Sequence, residues 1–265
     1  MHAANKSQRA LAAQPVSLRR LTVLSMGLLI GAAAVHSAQA NAWGFFDRSV
    51  NGSGTISSTT RTASGIQAVD VSLPANVRLV QGEAEGLVIK TDDNIAPLVE
   101  TNVERGRLSI RSAKGVSLRT KVLDITVFIK SVDALSIAGS GNIQSAALQA
   151  PALKLRISGS GDMQLNGLAV GDLNVSIAGS GSVEGAGKAD SLDGSIAGSG
   201  DIKLKHLATG KANIHIAGSG DAVVWAQSKL AISIAGSGDV RYYGNPSVTH
   251  SVAGSGSVQS MGEKP

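Results

Sequence analysis

Acidic residues recur at one position of the sequence, directly after a Gly-Ser-Gly tripeptide. Asp162, Asp201, Asp221 and Asp239 occupy this position, and Asn142 takes the same place in another copy. If these residues stack, neighbouring carboxylates lie about 5 Å apart and repel, so solvent, backbone N–H groups of the turn or a cation must relieve the charge. Calcium requires about six or more oxygen ligands, and the sequence lacks the nonapeptide signature of calcium-binding repeats. We therefore expect an exposed turn ladder with a structural role, and no metal or other cofactor.

Aromatic residues could supply a binding surface near the end of the sequence. Five residues past the second glycine of the turn, successive copies carry Lys205, Trp225 and Tyr243. We expect Trp225 to stack on Tyr243 with Lys205 on its other side, which would suit the ring of a sugar. The alternative is that both aromatic side chains cover the C-terminal end of the fold. The residues predicted to bind a ligand are Asp201, Lys205, Asp221, Trp225, Asp239 and Tyr243.

Catalytic chemistry has weaker support in these residues. Glycoside hydrolysis uses a pair of carboxylates with different environments, whereas each aspartate of the ladder sits in an equivalent position. His206, His215 and His250 are not spaced as metal ligands. The Gly-Ser-Gly tripeptide lies between strands and opens no helix, so it is neither a phosphate-binding loop nor a nucleophile elbow. The sequence therefore favours a protein that is not an enzyme.

The elements that position these residues come from an internal repeat. Seven copies centred on Ile-Ala-Gly-Ser-Gly-Asp follow one another at intervals of 18–20 residues, and a period of this size is typical of a solenoid. Apolar and polar residues alternate on both sides of the turn, which indicates strands with one buried face. The sequence predicts an all-β fold, a right-handed parallel β-helix with Gly-Ser-Gly turns. One interior column should contain Ile137, Ile157, Ile177, Ile196, Ile216, Ile234 and Val252.

The chain divides into four parts on these criteria. Residues 1–40 are predicted to be a signal peptide, with a basic start, an apolar run and the small-x-small sequence Ala38-Gln39-Ala40. Residues 41–60 would form a loose extension, and residues 61–130 a β-rich part that begins or caps the solenoid. Within that part, residues 93–105 are expected to form a short helix. Residues 131–260 form the repeat β-helix.

The charge of the chain lies mainly in the predicted signal peptide. Its four basic residues account for most of the net charge of +5, and the remainder has 20 Lys and Arg against 19 Asp and Glu. This balance gives no support for a nucleic-acid partner. The apolar run is shorter than the roughly 20 residues of a membrane span, so we expect none in the mature chain. The chain has no cysteine, so stability must come from packing and hydrogen bonds.

The order of these motifs resembles the head GIN domain family, whose members are described as heads of autotransporter adhesins. The resemblance covers roughly residues 50–260. It implies a β-helical protein of the cell envelope and supplies no catalytic residues. The matching segments are Asn51-Gly52-Ser53-Gly54, Ser64-Gly65-Ile66, Asp93-Asn94-Ile95, Gly106-Arg107-Leu108, the Gly-Ser-Gly-Asp turns and 239–246.

An autotransporter also needs a C-terminal membrane barrel. Only nine residues follow Gly256, so we expect no self-export, and periplasmic residence is as good an expectation as surface display. The predicted function is a non-enzymatic, adhesin-like module that binds a glycan or an envelope protein. Two alternatives stay open, namely a β-helical enzyme acting on polysaccharide and a structural or regulatory periplasmic protein that binds another protein.

Overall fold

The computed structural model describes residues 48–264, and the predicted signal peptide therefore lies outside the described residues. Nineteen strands and one turn of 3-10 helix make up this part of the chain. The strands are β1 (Arg48–Asn51), β2 (Ile56–Arg61), β3 (Ala68–Ser72), β4 (Asn76–Gln81), β5 (Gly86–Asp92), β6 (Val99–Glu104), β7 (Arg107–Ser112), β8 (Val116–Arg119), β9 (Leu123–Ile129), β10 (Ala134–Gly139), β11 (Asn142–Ser145), β12 (Leu148–Gly159), β13 (Asp162–Gly179), β14 (Ser182–Gly198), β15 (Asp201–Gly218), β16 (Ala222–Gly236), β17 (Val240–Tyr243), β18 (Ser247–Gly254) and β19 (Val258–Ser260).

Successive coils of the repeat pair in parallel, so the fold is the predicted parallel β-solenoid. β13 pairs with β14 along its whole length, from Asp162 opposite Ser182 to Gly179 opposite Gly198. The register shifts between Leu165 and Leu168, and the pairing is interrupted without a shift at Gly171, so the coil has three paired segments. Every second residue of the three segments is buried. The inward residues of this coil are Met163, Leu165, Leu168, Val170, Leu173, Val175 and Ile177.

The interior isoleucine column is confirmed by the strand register. Ile157 pairs with Ile137 on one side and with Ile177 on the other, and the same alignment continues to Val252. The column also extends beyond the repeat, because Ile137 is opposite Val71 and Val71 is opposite Ile110. Each coil contributes one β-branched side chain, Ile or Val, to this column. Together these side chains form a continuous core that no single coil could bury alone.

The glycines of the turns allow the coils to approach this closely. Gly179 has a φ of +131°, and a Cβ atom there would overlap the carbonyl oxygen of Gly159 in the preceding coil. Gly181, two residues later, lies against the carbonyl oxygen of Gly161 in the same way. Only glycine satisfies both the backbone conformation and the spacing.

The part of the chain that precedes the repeat both begins the solenoid and closes it. β3 and β4 pair in parallel with β10 and β11, so they form a coil in register with the repeat. Beyond them, β7 and β9 pair in parallel with β3 and β4, while β2, β5 and β6 pair antiparallel. Residues 48–60 were expected to be part of a loose extension. They instead contain two paired strands, because β1 pairs with β8 and β2 pairs with β5.

The helix predicted over residues 93–105 is mostly absent. One turn of 3-10 helix covers Ala96–Leu98, and β6 follows directly from Val99 to Glu104. β6 pairs antiparallel with β7, which places Val99 in the core. The spacing of Val99, Thr101 and Val103 fits a strand with period 2, and β-branched residues favour that conformation.

Candidate functional site

The ladder of polar residues after the turn is continuous along one face of the solenoid. Five members, namely Asn142, Asp162, Asp201, Asp221 and Asp239, accept a hydrogen bond from the backbone N–H of the equivalent residue in the next coil. The Oδ1 atom of Asp162 accepts from Ser182 at 2.9 Å, and that of Asp221 accepts from Asp239 at the same distance. The ladder, in order, is Asp124, Asn76, Asn142, Asp162, Ser182, Asp201, Asp221, Asp239 and Ser257.

Groups within the protein relieve the negative charge of the three successive aspartates. The N–H groups that do so belong to the ladder residue of the next coil. The sequence had left solvent, N–H groups of the Gly-Ser-Gly turn and a cation as the possible sources of relief. Lys203 adds an exposed ion pair to Asp201 at 3.2 Å. At the end, the hydroxyl of Ser257 and then its N–H lower the pKa of the Asp239 carboxyl below its ordinary value, and Arg241 adds to the effect. Within residues 48–264, no three His, Asp or Glu side chains converge as a metal site would require.

The aromatic pair lies where the sequence placed it. Trp225 of β16 is opposite Tyr243 of β17, and both side chains point outward and are partly exposed. Lys205 does not lie opposite Trp225, so that expectation is wrong. β15 shifts register between Leu204 and Ala208, and Ala208 is opposite Trp225. The coil from Asp201 has two more residues than the coil from Asp221, and this difference forces the shift.

A lysine from the C-terminal segment, and not Lys205, contacts the aromatic pair. The Nζ atom of Lys264 lies 4.6 Å from the centre of the Tyr243 ring, within the range of a cation–π interaction. The same atom is 3.4 Å from Nδ1 of His206. The segment is held by a hydrogen bond from the N–H of Gly244 to the carbonyl of Gly262 at 3.0 Å. We call Trp225, Tyr243, His206 and Lys264 the C-terminal cluster.

The end of the solenoid is covered by other residues. Tyr242 is opposite Val224 and His250 is opposite Ile232, so both occupy inward columns in the last coils. Tyr242 packs against the core. Because Trp225 and Tyr243 point outward, the alternative that they form the end cover does not fit their position.

The N-terminal motifs meet around one carboxylate. Asp92 is 4% exposed, and its carboxylate accepts hydrogen bonds from the N–H of Gly54 and the hydroxyl of Thr120. Both bonds, with that of Thr120 the larger, lower its pKa. The adjacent loop is fixed by the N–H of Ser53, which donates to Asn94 at 2.9 Å. Segments 51–54 and 93–95 therefore form a structural clasp that holds β2 to the first coils.

Comparisons with known proteins agree with this architecture. A solved structure of a "putative adhesin" from Bacteroides fragilis matches with a TM-score of 0.76 and 22% identity, over 80% of this chain and 100% of that one. A "putative lipid binding protein" from Parabacteroides distasonis matches with a TM-score of 0.67 and 26% identity, over 81% and 100% of the two chains. A "putative adhesin" from Parabacteroides merdae has a TM-score of 0.65 and 24% identity, over 81% and 99%.

No curated protein matches the chain. Among residues 48–264, no helix has both the length and the apolar character needed to cross a membrane. The family model described as "Putative auto-transporter adhesin, head GIN domain" matches residues 65–246, which include the clasp residues from 93 to 95, the aspartate ladder and Trp225 with Tyr243. The chain belongs to this family.

Proposed function

We propose that the protein is a non-enzymatic, adhesin-like module of the cell envelope and that its C-terminal cluster binds a glycan. The observation that carries the proposal is the register pair of Trp225 and Tyr243 on the outer face of the solenoid. Outward aromatic rings next to cationic and hydrogen-bonding groups suit the apolar face and the hydroxyl groups of a sugar. His206 supplies a hydrogen-bonding group near Tyr243, and a ligand on the Tyr243 ring would displace Lys264 from it.

Rigidity favours this surface as a binding site. Trp225 lies between two fully buried residues, Val224 and Ala226, and Tyr243 follows Tyr242, which packs against the core. A ring fixed by its backbone loses little conformational freedom when a ligand binds, which improves affinity. The aspartates 201, 221 and 239 lie on the same coils and extend the polar surface. In this proposal they contribute hydrogen-bond acceptors and hold no metal ion.

Family membership supports an exported or surface location. Within the proposal, the predicted signal peptide directs the chain out of the cytoplasm, and the mature protein resides in the periplasm or on the outer surface. A lipid ligand, which the description of the Parabacteroides distasonis protein suggests, has less support. The exposed large apolar side chains of the described residues are few and belong to separate segments, namely Ile56 in β2, Val80 in β4 and Met261 after β19.

Calorimetric titration of the purified protein against a panel of bacterial and host polysaccharides tests the proposal. We expect binding that the double variant Trp225→Ala/Tyr243→Ala loses while its melting temperature is unchanged. Lys154→Ala, an exposed outward position of β12, is the matched control and should bind normally. Absence of binding to any polymer, together with capture of an envelope protein by cross-linking, would instead support the protein-binding alternative.

An enzymatic role makes a different prediction for the same panel. A polysaccharide-acting enzyme would release new reducing ends or unsaturated products from at least one polymer. Incubation followed by an assay for reducing ends distinguishes the two, and product release by the wild type would overturn the non-enzymatic proposal.

A further inference from the structure

A second surface, far along the solenoid from the C-terminal cluster, has the chemistry of a binding site. A groove of about 410 Å³ lies on the outer face of β4, β11 and β13. Arg78, Gln144, Gln164 and Asn166 line it together with the small residues of the turn after β11. We call it the amide groove. Its size falls within the range of small-ligand sites.

The polar groups of the amide groove are arranged in a straight line. Gln144 is opposite Arg78 on one side and opposite Gln164 on the other. Adjacent strands are about 4.8 Å apart, so one guanidinium and two amides repeat at this spacing across three coils. A linear ligand that crosses the strands would therefore meet one hydrogen-bonding side chain at each level.

These side chains have no partners elsewhere in the described part of the chain. Arg78 takes part in none of the ion pairs formed by residues 48–264, and it is the only titratable group that lines the groove. Gln144 and Gln164 are exposed. The groove therefore carries one positive charge, without an ion-pair partner in residues 48–264, at one end of a row of neutral amides. This arrangement favours a ligand with an anionic group and many hydroxyls.

One wall of the groove is fixed. The side-chain amide of Gln81 donates to the carbonyls of Gln149 at 3.0 Å and Lys130 at 3.1 Å, and its oxygen accepts from the N–H of Gln149 at 2.8 Å. Beside it, Val80 is 39% exposed and offers an apolar contact. A preorganised wall with a small apolar area is suited to one face of a pyranose ring.

The strands of the groove have no free edge, which makes an extended peptide an unsuitable ligand. β4 pairs with β9 and β11, and β11 pairs with β4 and β13, so these strands present no free edge. A peptide that binds to a sheet does so mainly through main-chain hydrogen bonds at such an edge. A saccharide binds instead through hydroxyls to side-chain amides, which are the groups that the groove offers.

We propose that the amide groove binds an acidic oligosaccharide, with its carboxylate on the guanidinium of Arg78 and its hydroxyls on Gln144, Gln164 and Asn166. Guanidinium and carboxylate form paired, charge-assisted hydrogen bonds, and the amides fix the register of the sugar rings. This site is independent of the C-terminal cluster, so it can hold or fail whatever the outcome for Trp225 and Tyr243.

Titration of the purified protein with oligogalacturonate, oligoguluronate and hyaluronan oligosaccharides tests the proposal. We expect at least one of them to bind, Arg78→Gln to weaken binding at least about tenfold, and Gln144→Ala to weaken it less. The methyl ester of the bound oligosaccharide should bind as weakly to the wild type as the acid does to Arg78→Gln. Arg156→Gln is the matched control, because Arg156 is also exposed on the outer face but does not line the groove.

The variants also separate this site from the one proposed above. Trp225→Ala/Tyr243→Ala should retain its affinity for the acidic oligosaccharide. Equal loss in Arg78→Gln and Arg156→Gln would show nonspecific attraction and would overturn the proposal. So would failure of all three acids to bind, or binding of poly-glutamate that depends on Arg78 as strongly as binding of the sugar does.

Discussion

The Oδ1 atom of Asp239 accepts two hydrogen bonds from Ser257 in the next coil, one from the backbone N–H at 2.9 Å and one from the hydroxyl at 2.8 Å. Asp162 and Ser182 repeat this arrangement at 2.9 and 2.7 Å. Where a serine follows an aspartate in the ladder, its hydroxyl donates to the carboxylate. Where an aspartate follows an aspartate, a second negative charge stands in that place.

Removal of this hydroxyl should weaken the last coils. Ser257→Ala keeps the N–H bond and loses the hydroxyl bond, so we expect a melting temperature lower by at most about 2–4 °C. Ser251→Ala removes an exposed hydroxyl from the same coil that has no such partner and should have no effect. Equal melting temperatures for the two variants would contradict a stabilising role of the ladder.

Acid should destabilise the clasp through Asp92. Its pKa lies below the ordinary value of 3.8, so the ionised carboxylate stabilises the fold above about pH 4, and this contribution is lost as the pH falls through the folded-state pKa. We expect Asp92→Asn to melt at a lower temperature than wild type at neutral pH and to lose less on acidification to about pH 3. Melting curves over this range provide the measurement, with Asp133→Asn as an exposed control. A variant with an undiminished acid response would show that other carboxylates dominate.

A methyl group at the turn should not be tolerated. In Gly181→Ala, the Cβ atom would overlap the backbone carbonyl of Gly161, which cannot move without displacing a coil. We expect a loss of about 1–3 kcal/mol or more in the free energy of unfolding. Gly82→Ala adds the same atom where nothing lies within 4 Å and should change stability by less than about 0.5 kcal/mol. Denaturant unfolding of both variants measures the difference.

Lys264 should compete with a ligand for the Tyr243 ring. Lys264→Ala removes the cation from the ring, so we expect affinity for a neutral glycan to rise by about two- to fivefold, the equivalent of an exposed cation–π contact. Lys229→Ala, exposed on β16, serves as the control. Weaker binding by Lys264→Ala would mean that the lysine itself contacts the glycan.

Much of the fold could be predicted because equivalent residues of successive repeats pair with each other, so the repeat itself defines the register of the strands. Equivalent isoleucines such as Ile157 and Ile177 must align if each coil is to bury its apolar face. The helix at 93–105 was predicted wrongly, since Ile95, Val99 and Val103 are spaced by four residues, and this spacing suits both a helix and a strand. Pairing with β7, a nonlocal contact, decides between them.

The candidate site was predictable only where coil length stays constant. Trp225 and Tyr243 were aligned correctly because the coils that begin at Asp221 and Asp239 have the same length and pair without a register shift. Lys205 was not, because its coil is longer and the excess is absorbed by a register shift. The contact of Lys264 with Tyr243 depends on the path of the C-terminal segment, and the amide groove depends on strands β4 and β11 that lie far apart in the sequence. Neither the contact of Lys264 nor the amide groove could be predicted from a local sequence pattern.

The inward position of His250 has a consequence for association between molecules. Any further β-layer placed on the last coil, whether from another copy or from a misfolded chain, would have to dehydrate an imidazole in a column otherwise filled by residues such as Ile232 and Ile214. A regular interior suits the addition of a further β-layer. His250, together with Ser260 at the end of the column of Val224 and Tyr242, makes the last coil a poor surface for it. We therefore expect the polar inward residues of the last coil to disfavour end-to-end association of this repetitive fold.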